Sequence, residues 1–219
     1  MTIGGMHTEF KLLMDKGDSL GNPNFMVFEI DAFLNIAIEK FVSKRMYGNN
    51  PRRTGFDEDQ KRRDDLRNLI KNATITSFET GTLPNGVLIA LPTSYRHAIQ
   101  ESVTVGGGRV VSVTPLTYDR YNKIIDDPFN KPDLNTVYRV DFNTNRFELL
   151  HHPDVVLTGY NLRYITDPAV VDNVSTDTVS CDLAAHTHKE IVRMAVVDAL
   201  ENVEQPRYQS SKIELNEIE

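Results

Sequence analysis

The feature that most constrains this chain lies near its C-terminal end, in the stretch DLAAHTHKEIVRMAVVDALENVEQPR over residues 182–207. Ile191, Val192, Met194, Ala195, Val196, Ala199, Leu200 and Val203 fall mostly at three- and four-residue intervals. That is the period of an α-helix with one broad buried face. Asp182 or Thr187 can cap its start, and Thr187 followed by Glu190 fits the S/T-x-x-E capping box. Pro206 marks its end. A face this wide must be covered, and nothing adjacent in sequence covers it, so the partner lies far upstream.

The natural partner is a helix running to about Tyr47 from a cap at Asn22 or Asn24. Met26, Ile30, Phe33, Leu34, Ala37, Ile38, Phe41 and Val42 form its apolar stripe. Glu29 and Asp31 near its start and Lys40, Lys44 and Arg45 near its end suit the helix dipole, and Gly48 suits its stop. A second helix, about Asp57 to Lys71, has only Phe56, Leu66, Leu69 and Ile70 as apolar anchors. Two helices joined by a short connection lie side by side, which leaves the first with apolar surface for the C-terminal helix to cover.

Between Ala73 and Cys181 the period changes. ATITSFET, GVLIALP, YRHAIQESVTV, RVVSVTP, TVYRVDF, RFELLHH and VVLTGYNLRYI are rich in β-branched and aromatic residues, and Gly, Pro, Asn or Asp bound them. Gly106–Gly108 and Asn143–Asn145 read as hairpin turns, and residues 117–125 as a short helix ended before Pro128. The expected fold is therefore α+β: a discontinuous helical bundle of two N-terminal helices plus the C-terminal helix, an inserted β-rich lobe, and extended terminal arms. The corresponding boundaries are an arm over 1–23, a helical hairpin over 24–72, the lobe over 73–181, the closing helix over 182–205 and an arm over 206–219.

The 219 residues carry a formal charge of −7, which argues against whole-surface attraction to nucleic acid. No apolar run approaches the roughly 18 residues of a membrane span, and the start of the chain lacks a signal-peptide pattern. One cysteine, Cys181, excludes an internal disulfide. The chemistry-bearing residues form no recognisable centre. Strands flank Gly106–Gly108 on both sides, where a phosphate loop needs a helix after it. His186 and His188 are two apart and His151 and His152 adjacent, whereas helical metal pairs want three or four. No catalytic residue, cofactor or metal site is expected. Arg52, Arg53, Lys61, Arg62 and Arg63, with Lys44 and Arg45, form a possible basic patch facing DNA or an acidic partner, set among Asp57, Glu58, Asp59, Asp64 and Asp65.

Three stretches together carry a likeness. AFLNIAIEKFVSKRMYGNN precedes GFDEDQKRRDDLRNLI; LPTSYRHAIQESVTV leads to PLTYDRYNKIIDDPFNKP; and YNLRYITDPAVVD precedes CDLAAHTHKEIVRMAVVDALEN. The Leu-Pro before a tyrosine, the DPF-x-KP loop, the RYI-x-x-P step and the acidic-Leu helix with His-x-Glu-Ile occur in that order. Over about residues 25–205 this resembles head–tail connector (ring or adaptor) proteins of tailed bacteriophages, especially crAss-like phages. The resemblance implies a non-enzymatic virion protein, assembled in the host cytoplasm as a dodecameric ring in the neck. Its implied partners are further copies of itself, the portal, other neck or tail proteins, and genomic DNA passing through the lumen without sequence-specific binding; no membrane is implied. A tail-tube or tail-hub component is the alternative, and a nucleic-acid-binding accessory protein or small hydrolase lies further off.

A ring closes through a head-to-tail interface repeated on every subunit, and apolar or aromatic anchors dominate such interfaces. The candidates are Tyr95, Tyr121, Phe129 in its Pro-flanked loop, and Tyr208, Ile213 and Leu215.

Overall fold

The computed structural model describes residues 1–15, 25–47, 59–143, 145–173, 181–203 and 208–217. The described residues form six α-helices and an eight-stranded sheet, and the chain divides into two compact units. Met1–Leu69 with Pro168–Glu219 make a helical unit, and Ile70–Asp167 a β unit.

In the helical unit, α1 (Ile3–Asp15), α2 (Val27–Tyr47), α3 (Gln60–Leu66), α5 (His188–Asn202) and α6 (Tyr208–Glu217) enclose the core. The long-range pairing anticipated from periodicity is present: α5 packs on α2. Ile30, Leu34, Ala37, Ile38, Phe41 and Val42 of α2 and Ile191, Val192, Ala195, Ala199 and Leu200 of α5 are all buried. Met26 departs from the stripe. It precedes the first turn, is 63% exposed, and its N–H donates to the Glu29 carboxylate at 2.7 Å. The cap expected at Asn22 or Asn24 lies outside the described residues.

The arm expected over 1–23 is corrected by α1, which also packs on α5. Ile3, Met6, Phe10 and Met14 recur at three and four residues and are buried, so this short stripe joins the core. Phe10, Phe25 and Phe33 meet with ring centroids 5.7–6.3 Å apart. The extended C-terminal arm is likewise helical over Tyr208–Glu217 and touches α5. The Thr187–Glu190 capping box does not form. Thr187 has near-helical torsions and donates its hydroxyl to the Ala184 carbonyl at 2.9 Å, while Glu190 turns to Arg45. The second helix is shorter than its sequence suggests. After Leu66 a 3-10 turn, Arg67–Leu69, hands the chain to a strand, because Ile70 pairs with Ile165.

The β unit contains β1 (Ile70–Ile75), β2 (Glu79–Thr80), β3 (Gly86–Ala90), β4 (Tyr95–Val105), β5 (Arg109–Leu116), β6 (Val137–Asn143), β7 (Arg146–Leu150) and β8 (Leu157–Thr166). The sheet order is β1-β8-β4-β5-β6-β7-β3-β2. Both expected hairpins pair antiparallel, β4 with β5 and β6 with β7. Gly107 and Gly108 have φ of +83° and +78°, a region glycine enters without a Cβ clash. Strands β5 and β6 run parallel, so the chain must cross over between them. The crossover holds α4 (Tyr118–Ile125), none of whose residues is fully buried. Ile89, Val103, Phe147, Leu149, Tyr160 and Leu162 lie at the centre of the core.

Candidate functional site

The six aromatic and aliphatic candidates occupy different environments. Tyr95 opens β4 with its ring packed edge-on to Phe147 at 5.5 Å and tilted on Tyr164 at 6.0 Å. Its hydroxyl accepts from the Ala98 N–H at 3.1 Å, and burial pushes its ionisation up. Tyr121 rests, half-buried, against the Leu116, Val140 and Leu150 cluster. On α6, Tyr208 is half-buried with Lys212 donating to its hydroxyl at 2.9 Å; Leu215 is half-buried and Ile213 exposed. Phe129 stands apart at 95% exposed.

The loop around Phe129 is braced rather than slack. The Asp127 carboxylate accepts from the Phe129 N–H at 2.9 Å and from the Asn130 side-chain amide at 2.6 Å. The Lys131 N–H donates to the Asp127 carbonyl at 3.0 Å, and the Tyr138 hydroxyl to the Asn130 carbonyl at 2.7 Å. Downstream, Asp133 accepts from the Asn135 N–H and the Thr136 hydroxyl, both at 2.7 Å. These bonds favour the charged carboxylates and hold both acids below the usual range. Arg109 at the base of β5 reaches across to the Asn135 side chain at 2.8 Å and to the Leu134 carbonyl.

The basic group is only partly a surface. Arg52 and Arg53 lie outside the described residues. Arg45 points inward, donating through Nε to Asp65 at 2.6 Å and through Nη2 to both oxygens of Glu190 at 2.8 and 2.9 Å. Its guanidinium also lies 4.7 Å from the centre of the Phe41 ring. Arg62 is 3.6 Å from Asp59, while Lys61 and Arg63 are exposed on α3.

Sequence reasoning missed the buried charges. His7 Nε2 is 2.7 Å from Asp31. Glu148, wholly buried, accepts from the Thr82 N–H (2.6 Å), the Leu83 N–H (2.7 Å) and the Thr82 hydroxyl (2.8 Å). Glu101 takes Arg139 at 2.5 Å and the Tyr160 hydroxyl at 2.8 Å, and burial raises the ionisation of both Glu101 and Tyr160. The signal available was a charge at an inward strand position, such as Glu148 in FELL, which only a known pairing can interpret.

The histidines each have local partners. His186 Nε2 meets Asp65 at 2.8 Å, and His188 Nε2 donates to the Leu183 carbonyl at 2.9 Å while Nδ1 accepts from the Met1 ammonium at 3.0 Å. Among the described residues no three His, Cys, Asp or Glu side chains gather as metal ligands. Cys181 is half-buried, and burial pushes its thiol up, away from the thiolate a nucleophile needs. No described helix is long and apolar enough to cross a membrane.

The geometry thus defines a two-unit α+β protein whose most prominent outward feature is a braced aromatic loop. Comparison with known proteins supplies the rest. Residues 1–210 match the family described as phage tail ring protein 3/4, a span that includes α1. The chain is 27% identical over 217 residues to Ring protein 4/5 of Bacteroides phage crAss001, covering 90% of this chain and 91% of that protein. It is 26% identical over 208 residues to Ring protein 3 of the same phage, covering 85% and 90%. The chain belongs to the phage tail ring protein 3/4 family, and is a structural, virion-associated protein of the crAss-like phages.

Proposed function

We propose that this chain is a non-enzymatic subunit of a dodecameric ring in the phage neck, joining the portal to the tail and surrounding the path of the genome. The match over residues 1–210 to a ring family carries this reading. The formal charge of −7 supports a lumen that repels phosphate, so that DNA slides through without sequence-specific contact. The half-buried Cys181 with its raised thiol supports the absence of a nucleophilic centre. Electron microscopy of the protein bound to portal-containing heads tests the reading. A twelvefold ring directly below the portal is expected; failure to bind such heads overturns it.

The family description, a tail ring, favours one second reading, a ring further down the tail. The same images separate the two by the position of the density.

A further inference from the structure

The ring reading requires each subunit to carry two different surfaces that fit one another, because a head-to-tail contact joins unlike patches. Two described surfaces have complementary chemistry. One is the DPF-x-KP loop, with Phe129 projecting, Leu134 51% exposed beside it, and Asp126 and Asp133 exposed around it with Lys131 the one exposed cation of residues 126–135. The other is the side of α3 and the turn after it where Arg63 and Arg67, four residues apart, are both exposed, with Lys61 exposed further round the helix and Asp64 the one exposed acid among the described residues 61–67.

An aromatic ring held fully in water by a hydrogen-bonded loop contributes nothing to its own core. It is, however, ready to bind, since the ordering cost of the loop has been met within the subunit. The Asp127 brace fixes the backbone on both sides of Phe129, and the Arg109 bridge ties the far end of the loop to β5. Phenylalanine attracts a guanidinium or ammonium over its face, and the acids beside it attract the same groups. Lys and Arg also offer long aliphatic stems for the ring to cover.

Resting on the ring reading, we propose that Phe129 and Asp126 of one copy dock on α3 and the turn after it in the neighbouring copy, the aromatic ring over the stems and cations of Arg63 and Arg67. The partner is a second copy of this chain. The charge pattern of the two surfaces selects it: a loop with net acidity and a helix side with net basicity on one molecule disfavour their own kind and pair in head-to-tail order. The hydrogen bonds to the Asp127 and Asp133 carboxylates favour their charged forms and so keep the loop acidic near neutral pH.

The test uses the full chain, alone and with portal-containing heads, with oligomer mass by native mass spectrometry and ring counts by negative-stain microscopy. Phe129→Ala is expected to raise the concentration needed for half-assembly by at least about tenfold, with an unchanged circular dichroism spectrum and melting temperature. Asp126→Lys and Arg63→Glu should each weaken assembly, and the double variant should recover it. If the native chain forms rings and Phe129→Ala forms them equally well, or the double reversal fails to recover assembly, the docking assignment is wrong while the ring reading stands. If Arg63→Glu instead removes a salt-sensitive affinity for duplex DNA and leaves rings intact, the basic helix faces the genome and the assignment is equally overturned. If the native chain forms rings in neither setting, both readings fall together.

Discussion

The two units place charge in different relations to chain connectivity. In the helical unit Arg45 of α2, Asp65 of α3 and Glu190 of α5 meet in one buried cluster, joining segments from both ends of the chain. In the β unit the ladder of strand pairs does most of the long-range joining, with Glu148 of β7 serving the turn between β2 and β3 and Glu101 of β4 adding one side-chain link to Arg139 of β6 and Tyr160 of β8. A helix satisfies its own backbone, so separated helices need side chains to register one another. A sheet registers its strands through the backbone itself. Where the β unit spends hydrogen bonds on an exposed loop, the result is a presented side chain, Phe129, rather than a closed core.

Breaking the Arg45 cluster should produce the largest effect of any change to a charged side chain. Arg45→Ala removes the cation between two poorly exposed carboxylates, leaving Glu190 without its bidentate partner and Asp65 with His186 alone, a loss of roughly 3–5 kcal/mol. Urea unfolding followed by far-ultraviolet dichroism at the helical signal measures it, and a change under about 1 kcal/mol would show that water reaches the site. Next in size, Glu148→Ala removes the acceptor of three donors in the 82–83 turn, a cost of about 2–3 kcal/mol. The turn has no spare room either: a Cβ on Gly81 or Gly86 would fall 2.4 or 2.3 Å from Glu148 Oε1. Hydrogen exchange should therefore report loosening at β2–β3 while α2 and α5 stay protected. Equal loosening of both units would contradict the division of labour drawn above.

Much of this was legible in local pattern, and what was not is non-local. The β4 segment matches Tyr95–Val105 to the residue, and the short helix read at 117–125 is α4 at Tyr118–Ile125, because β-branched runs and turn residues are local signals. The stripe of α2 was readable for the same reason. Ile3, Met6, Phe10 and Met14 carried a helical period too, but Gly4 and Gly5 lower helix propensity and mask it. Strand order was beyond reach: β8 sits between β1 and β4, and the parallel β5–β6 pair depends on a crossover that no single segment encodes. Of the candidate surface, Phe129 was visible through its flanking prolines. The inward turn of Arg45 was not, since its partners Asp65 and Glu190 lie in other elements.

Acid should bear on the helical unit through His188. Burial holds His188 below its ordinary 6.5, with the Met1 ammonium and His186 adding to the effect and the Leu183 carbonyl opposing it. The unfolded chain then takes up the proton first as pH falls. The stabilisation from neutral His188 is complete above 6.5 and is lost progressively below it, towards the lowered folded value. Denaturation midpoints of the helical signal between pH 7.5 and 5.5 should drop accordingly, and His188→Gln should flatten that slope. An unchanged slope in the variant would assign the acid sensitivity elsewhere.

The smallest expected effect on stability is the most informative about assembly. Phe10 and Phe129 are the same residue type in opposite settings, one wholly buried between α1 and α2, the other 95% exposed. Phe10→Ala should cost about 3–5 kcal/mol through the cavity it leaves. Phe129→Ala leaves no cavity, and its loop keeps the Asp127, Asn130 and Tyr138 bonds, which use backbone and neighbouring side chains. The change in unfolding free energy of the isolated chain should stay within about 0.5 kcal/mol. A substantially larger loss would mean that the ring already packs on its own subunit, and the loop would then belong to the fold instead of to an interface.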